Sequence, residues 1–272
     1  MADRSSYRVE LLYQPGRALP DADLERLVAE LRDVASTCFD PIPDYQCLSG
    51  TRAALSDKVI TLARRPDGEA AGFCSALILP VAGVGDVLHL GLTCVRPDAR
   101  SGRLTTRLMS KLVITYFWRY RGLRRVWCSN VACVLSSLGN MALHFDRVFP
   151  SPFGPEQPST EHLRIARAID AHHRREIYID AAAVLDTDAF VFRRSVPSTV
   201  FQKSANDSRF FHRDRALNDY YQQRMSFEDG DEVVQVGCVD LVSLLAFLRK
   251  QLPLGAARRA GARRAARSAS GG

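Results

Sequence analysis

Nowhere in the 272 residues do about 18 apolar residues follow one another, which excludes a membrane-spanning helix. The opening Met-Ala-Asp-Arg-Ser-Ser-Tyr has no apolar stretch of the kind a secretory leader needs, so the chain is read as cytoplasmic. Cysteine pairs are missing as well. The seven cysteines (Cys38, Cys47, Cys74, Cys94, Cys128, Cys133 and Cys238) stand singly and never as Cys-x-x-Cys. An odd, widely spaced set without a leader argues against a disulfide framework. Cys128 and Cys133 lack neighbouring ligands for zinc, and no metal is expected.

The net charge of +7 is not a property of the body of the chain. From Leu241 onward there are seven basic and no acidic residues, and removing them leaves thirty basic against thirty acidic. The excess therefore sits in Arg249, Lys250, Arg258, Arg259, Arg263, Arg264 and Arg267. Residues 253–272, rich in Ala, Arg, Gly and Ser, read as a disordered basic tail. The tail reads either as solvated and idle or as a contact for nucleic acid, anionic lipid or an acidic partner, and the body carries no such charge signature. The remainder, residues 1–252, reads as one domain with an ordinary apolar content of 46%.

Periodicity orders the elements. Residues 7–14 read as a strand, and 21–39 as a helix with Leu24, Leu27, Val28, Leu31, Val34 and Ala35 on one face. A short helix is expected around 44–55. Strands follow at 58–63, 71–81 and 87–95, turning at Pro66-Asp67-Gly68 and at Gly83–Asp86, which makes an antiparallel meander. A loop at 97–103 leads into a helix through about Tyr120, then a strand at 124–130 and a helix at 134–147. That succession is a βαβα unit, whose two strands should lie parallel. Farther on, 160–178 reads as helix, 189–193 and 232–238 as strands, and 241–252 as a closing helix; no internal repeat is found.

The chemistry-bearing segment is Leu90-Gly-Leu-Thr-Cys-Val-Arg-Pro-Asp-Ala-Arg-Ser-Gly-Arg-Leu-Thr-Thr-Arg-Leu. A strand ends at Val95, Pro97 starts a turn, and the loop enters an amphipathic helix. Backbone N–H groups and the positive end of a helix dipole then converge on one point, which suits a pyrophosphate. Arg100 and Arg103 add charge-assisted contacts, and the hydroxyls of Ser101, Thr105 and Thr106 add donors. An ordinary strand-loop-helix connection with surface arginines has the same composition.

Val95-Arg96-Pro97 followed by Arg100 and Gly102 resembles the core motif of the GNAT superfamily of acyl-CoA-dependent N-acyltransferases. In that motif Val-x-Pro precedes Arg or Gln-x-x-Gly-x-Gly or Ala. The two small positions here are Arg103 and Thr105, with the glycine displaced to 102. Gly139-Asn140-Met-Ala142-Leu-His144-Phe145 likewise resembles the family's Asn-x-x-Ala…Leu-Tyr segment. The resemblance covers about residues 20–149. It implies an α/β fold: a GNAT-like mixed sheet with an antiparallel N-terminal meander, a central βαβα CoA-binding unit at 87–149, and an enlarged C-terminal half, 150–252, on the acceptor side.

The resemblance further implies that the strand ending at Val95 and the next core strand splay apart. The pantetheine of acetyl-CoA or a longer acyl-CoA would lie between them, against backbone groups of Thr93, Cys94 and Val95. Arg100, Ser101, Gly102, Arg103, Leu104 and Thr105 would hold its phosphates, with Asn130 and Asn140 as further contacts. A backbone N–H would polarise the acyl carbonyl while a neutral amine attacks directly. The family's thiolate-protonating Tyr falls on Phe145, so two histidines become the candidate acid or base: His144 beside it, and His89 on the strand leading to the wedge. Cys94 has no identifiable base partner that would make it a nucleophile. His172 and His173 sit in a mixed-charge helix and read as solvated. Phe210-Phe211-His212 and Tyr220-Tyr221 belong to segments, 150–185 and 195–230, that would shape the acceptor or acyl pocket or pack as core. Two readings stand: an N-acyltransferase acting on a small-molecule or peptide-like amine, and a non-catalytic acyl-CoA- or partner-binding module that kept the fold.

Overall fold

The computed structural model describes residues 7–245, with Ser101 and Gly102 described by their backbone alone. The basic tail expected at 253–272 lies outside the described residues, as does the closing helix beyond Leu245.

Alternating and continuous apolar runs produce β1 (Arg8–Tyr13), β2 (Lys58–Arg64), β3 (Ala70–Val81) and β4 (Gly85–Val95). These pair antiparallel in sequence order, which is the expected meander. Between β1 and β2 lie a single turn, α1 (Pro15–Ala18), and α2 (Asp21–Ser36). Asp21 and Asp23 favour the positive end of α2, while Leu24, Leu27, Leu31, Val34 and Ala35 bury against one face of the meander. On the opposite face α3 (Leu104–Thr115) buries Leu104, Leu108 and Leu112. Covered on both sides, β2 and β3 lose the alternation of a half-exposed sheet: Lys58–Ala63 and Ala70–Leu77 are buried throughout.

The second half is β5 (Val126–Ala132), α4 (Leu135–His144), β6 (Asp146–Phe149), α5 (Thr160–Ala168), β7 (Val184–Asp186), β8 (Val191–Arg193), α6 (Arg215–Gln222) and β9 (Glu232–Val239). The nine-stranded sheet runs β1-β2-β3-β4-β5-β9-β8-β7, with β6 also on β9. β4 and β5 are parallel, as the βαβα reading required. All eight residues of β9 are buried, and β9 pairs antiparallel with β5 on one edge and with β6 and β8 on the other. The architecture is therefore the mixed α/β sheet expected, enlarged at its C-terminal side by α5, α6 and the β7–β8 hairpin.

Four boundaries differ from expectation. The helix expected at 44–55 shrinks to one 3₁₀ turn, Gln46–Leu48, because Gln46 takes φ 49° and buries its amide under β4. The helix expected at 134–147 stops at His144, since Asp146–Phe149 is drawn onto the edge of β9. The helices expected through Tyr120 and Tyr178 both close in wide π turns, Tyr116–Tyr120 and Ile169–His173. Tyr120 ends the first of these stacked on Tyr13, with centroids 3.8 Å apart. α6 was not anticipated; its Leu217 and Tyr221 bury against α4 in a fourth apolar cluster.

Candidate functional site

The site arises where β4 and β5 part. Their parallel pairing covers only Val87, Leu88 and His89 against Trp127, Cys128 and Ser129, although β4 runs on to Val95 and β5 to Ala132. The register along β3 explains the parting. Cys74 faces Thr93 and Ala76 faces Leu90, so one residue of β3, Ser75, is set against Gly91 and Leu92 of β4. That bulge bends β4 away from β5. Gly91 is required there, since a Cβ would stand 1.9 Å from the Gln46 side-chain oxygen. Gln46 is itself fixed: Ser75 Oγ donates to its Oε1 at 2.9 Å, and its Nε2 donates to Tyr45 Oη at 2.7 Å.

Between the parted strands lies a cavity of about 640 Å³. One wall is the β4 segment Leu90–Thr93 with Val95; the other is Asn130–Val134 at the end of β5. Residues of α3 (Thr105, Thr106, Met109, Ser110) and of α4 (Ser137, Asn140, Met141, His144) close one end. The far end is made by Tyr45, Ile177, Tyr178, Val196, Phe201, Lys203 and Glu232, all but Tyr45 from the C-terminal half. A smaller pocket of about 280 Å³ shares Cys38, Phe39, Lys203, Arg209 and Phe210 with it, so the far end continues toward the surface.

Of the residues singled out from sequence, Thr93, Val95, Arg100, Thr105, Asn130, Asn140 and His144 line this cavity. Cys94, Leu104, Arg103 and His89 do not border it. Cys94 and Leu104 point the other way, into the apolar clusters under α2 and α3 respectively. Arg103 caps α3 from the left-handed region, φ 57°. His89 is buried at the last paired register, its Nδ1 3.0 Å from Ser129 Oγ. Burial first, then the fields of His173 and Lys58, hold its imidazole neutral with a pKa of about 3. Pro97–Gly102 is a 3₁₀ turn in which the Ala99 N–H is satisfied by Arg96 O at 2.9 Å. Arg100 folds back, Nε donating to Val95 O at 3.1 Å and Nη2 reaching Cys38 Sγ at 3.7 Å. For Ser101 and Gly102 the expected phosphate contacts lie outside the description. Arg100 and the hydroxyls of the exposed Thr105 and Thr106 border the cavity at that end and can meet an anion.

Asn130 is held by a buried polar chain. Its Nδ2 donates to Ser137 Oγ at 3.3 Å and to Gln235 Oε1 at 3.4 Å. Gln235 Nε2 in turn donates to Tyr221 Oη at 2.7 Å, and Tyr221 Oη to Pro150 O at 3.2 Å. This chain ties β5, β9, α4 and α6 together, and packing of this kind sets side-chain positions to a fraction of an ångström.

The most consequential residue that sequence reading passed over is Glu232, the first residue of β9. It is buried and borders the cavity, and its Oε2 accepts from Ser195 Oγ at 2.6 Å. Burial pushes its carboxyl up to about 7, with the Ser195 hydrogen bond and the Lys203 charge partly opposing. Beside it stand four rings: Tyr45, Tyr178 and Phe201 in mutual edge contact and Phe39 edge-on to Phe201, with centroid separations of 4.9 to 5.6 Å. Tyr178 reaches this position from a left-handed backbone, φ 66°. The Tyr45 phenol is kept neutral, chiefly by burial. A lone Glu at a strand start has no sequence signature; only the pairing of β9 beside the end of β5 brings it here. Cys38, also on the cavity wall, is pulled down to about 5, mainly by a hydrogen bond from Cys94, whose own thiol is pushed up.

No family model and no curated protein matches the chain. Among solved structures it is similar to an Escherichia coli GNAT-family N-acetyltransferase in complex with CoA, at 13% identity over 52% of this chain and 69% of that one, with a TM-score of 0.37. It is similar also to Escherichia coli ElaA, at 18% identity over 53% and 93% of the two chains, TM-score 0.37. A ribosomal-protein-alanine N-acetyltransferase from Brucella melitensis shows 20% identity over 42% and 75%, TM-score 0.30. Among the described residues no helix is long and apolar enough to cross a membrane, and no group of three or more candidate ligands could hold a metal ion.

Proposed function

We propose that the chain is an acyl-CoA-dependent N-acyltransferase, passing an acyl group from CoA directly to a primary amine. The observation that carries this reading is the parting of β4 and β5 after the His89–Ser129 pair, which leaves a 640 Å³ cavity with one strand edge unpaired. An unpaired edge from Leu90 to Val95 offers main-chain N–H and C=O groups to an extended pantetheine arm, as an added strand would use them. Arg100, Thr105 and Thr106 receive the phosphates at the α3 end; Asn130 and Asn140 flank the arm.

The amine enters from the far end as an ammonium. Glu232, poised to ionise near neutrality, takes one proton and passes it to solvent through the opening. The neutral nitrogen attacks the thioester carbon, the C–N bond forms, and the C–S bond breaks. The surplus proton on nitrogen leaves with the thiolate of CoA, relayed by a proton-bearing group on the wall. His144 and the neutral Tyr45 phenol are two such groups, while Phe145 has no proton to give. His89, sealed behind the cleft, stiffens the paired end and exchanges no proton with substrate. The donor is acetyl-CoA or a longer acyl-CoA, and the ring cluster beside Glu232 gives room for an apolar acyl or acceptor group.

Phe145 also favours a second reading, in which the cleft binds acyl-CoA without turnover. A thermal shift with acetyl-, octanoyl- and palmitoyl-CoA, followed by thiol release across an amine panel, separates the two. Stabilisation with thiol release supports transfer, and stabilisation without it supports the binding module. No stabilisation by any of the three refutes both.

A further inference from the structure

The far end of the cavity holds two opposite charges that do not neutralise each other. Glu232 and Lys203 both border it and each feels the other's field, yet they form no ion pair among the described residues. The Lys203 ammonium donates to Val200 O at 2.5 Å and stands 5.0 Å from the centroid of Phe210. An ammonium has three donors, so two remain for a ligand. Its neighbour Arg209 is already committed, with Nε and Nη2 on the Asp207 carboxylate at 2.6 to 3.2 Å.

Lys203 is held there by its own segment. Cys133, just past the end of β5, donates to Phe201 O at 3.2 Å. The Gln202 amide donates to Phe227 O and Glu228 O, each at 2.8 Å, and its Oε1 accepts from Ser198 N at 2.6 Å. The segment 198–203 is thus pinned from three sides, and a half-buried cation is fixed at the mouth of the channel that leads to Glu232. A cation so placed repels a plain ammonium on its way in. It attracts one that carries its own negative group, and that group satisfies the donors Lys203 has left over.

We propose that the acceptor is an amine bearing an anionic group, with its nitrogen at Glu232 and its carboxylate or phosphate on Lys203. This rests on the transfer reading above and narrows it to amino acids or aminoalkyl phosphates, and it disfavours polyamines, whose second ammonium would face Lys203. One charge-assisted contact at a half-exposed site changes affinity about 10- to 100-fold.

The test pairs each anionic amine with its neutral or cationic counterpart: L-phenylalanine with phenethylamine, L-lysine with cadaverine, and O-phosphoethanolamine with ethanolamine. Thiol release is followed with acetyl-CoA and octanoyl-CoA. The anionic member should win by about 10- to 100-fold in kcat/KM, mostly through KM, in the amino-acid pairs, the phosphate pair, or both, which also identifies the anion. In Lys203→Met that ratio should fall toward one. Equal use of the counterparts, or a ratio that survives in Lys203→Met, overturns the inference. If no amine releases thiol, titration of L-phenylalanine and O-phosphoethanolamine into CoA-loaded protein decides. Binding lost in Lys203→Met upholds the anion site while the transfer reading falls, and no binding overturns both.

Discussion

Replacing Glu232 with Gln separates charge from shape at the far end of the cavity. Glutamine keeps an acceptor for the Ser195 hydroxyl, now at 2.6 Å from the carboxylate, but cannot take a proton. A general base contributes about 10²- to 10⁴-fold, so kcat/KM should fall by that order, and the acidic limb of its pH profile near 7 should vanish. The same substitution has a stability signature. Burial raises the folded carboxyl from 4.5 to about 7, and in the unfolded chain it ionises at its ordinary value. Below about pH 4.5 it is protonated in both states and nothing is lost. As the pH climbs through the interval to 7, the unfolded state ionises first and stability drains away; above 7 the loss is complete. At 1.36 kcal/mol for each pH unit the loss is of order 3 kcal/mol. Urea denaturation at pH 5 and pH 8.5 should therefore find Glu232→Gln close to the parent in acid and more stable by about that amount in alkali. A stability difference that stays flat across this range, or a variant that keeps both its rate and its acidic limb, would refute the assignment.

Gly91→Ala should destabilise by about 1 to 3 kcal/mol, because the new methyl meets a Gln46 amide that Ser75 and Tyr45 hold in place. In the double variant with Gln46→Ala much of that loss should be recovered, and denaturant melts of the four proteins check it. Cys38 should react first with iodoacetamide, since the other six thiols are buried, and saturating CoA should protect it. With its pKa near 5, its alkylation rate should be nearly level from pH 6 to 8, and a tenfold rise per pH unit would contradict the structure. Arg100→Glu should cancel the melting-temperature rise produced by CoA. For the parent at 100 times Kd that rise corresponds to about 2.7 kcal/mol, or roughly 5 to 10 °C. An undiminished rise in the variant would move the phosphate end elsewhere.

Local order was written in the chain. Apolar runs bounded by Pro66-Asp67-Gly68 and Gly83 could only fold back as the β2–β3–β4 meander, and the helical spacing of Leu104, Leu108 and Leu112 fixed α3 between two strands, hence their parallel direction. The cavity-lining Thr93, Val95, Arg100, Thr105 and Asn130 were named through the family resemblance that the motif in that unit carries. Other features were set by partners distant in sequence. Tertiary contacts ended α4 at His144, wound Gln46 under the bulge, turned Cys94 away from the cleft and sealed His89 behind it. Glu232 and Lys203 lie about a hundred and seventy to two hundred residues from the α2 end of the wall they share with Cys38, and neither stands in a motif. Spacing in sequence reveals neighbours within one turn or one hairpin. A carboxylate whose proton affinity depends on burial acquires it only when β9 pairs beside β5 and closes water out.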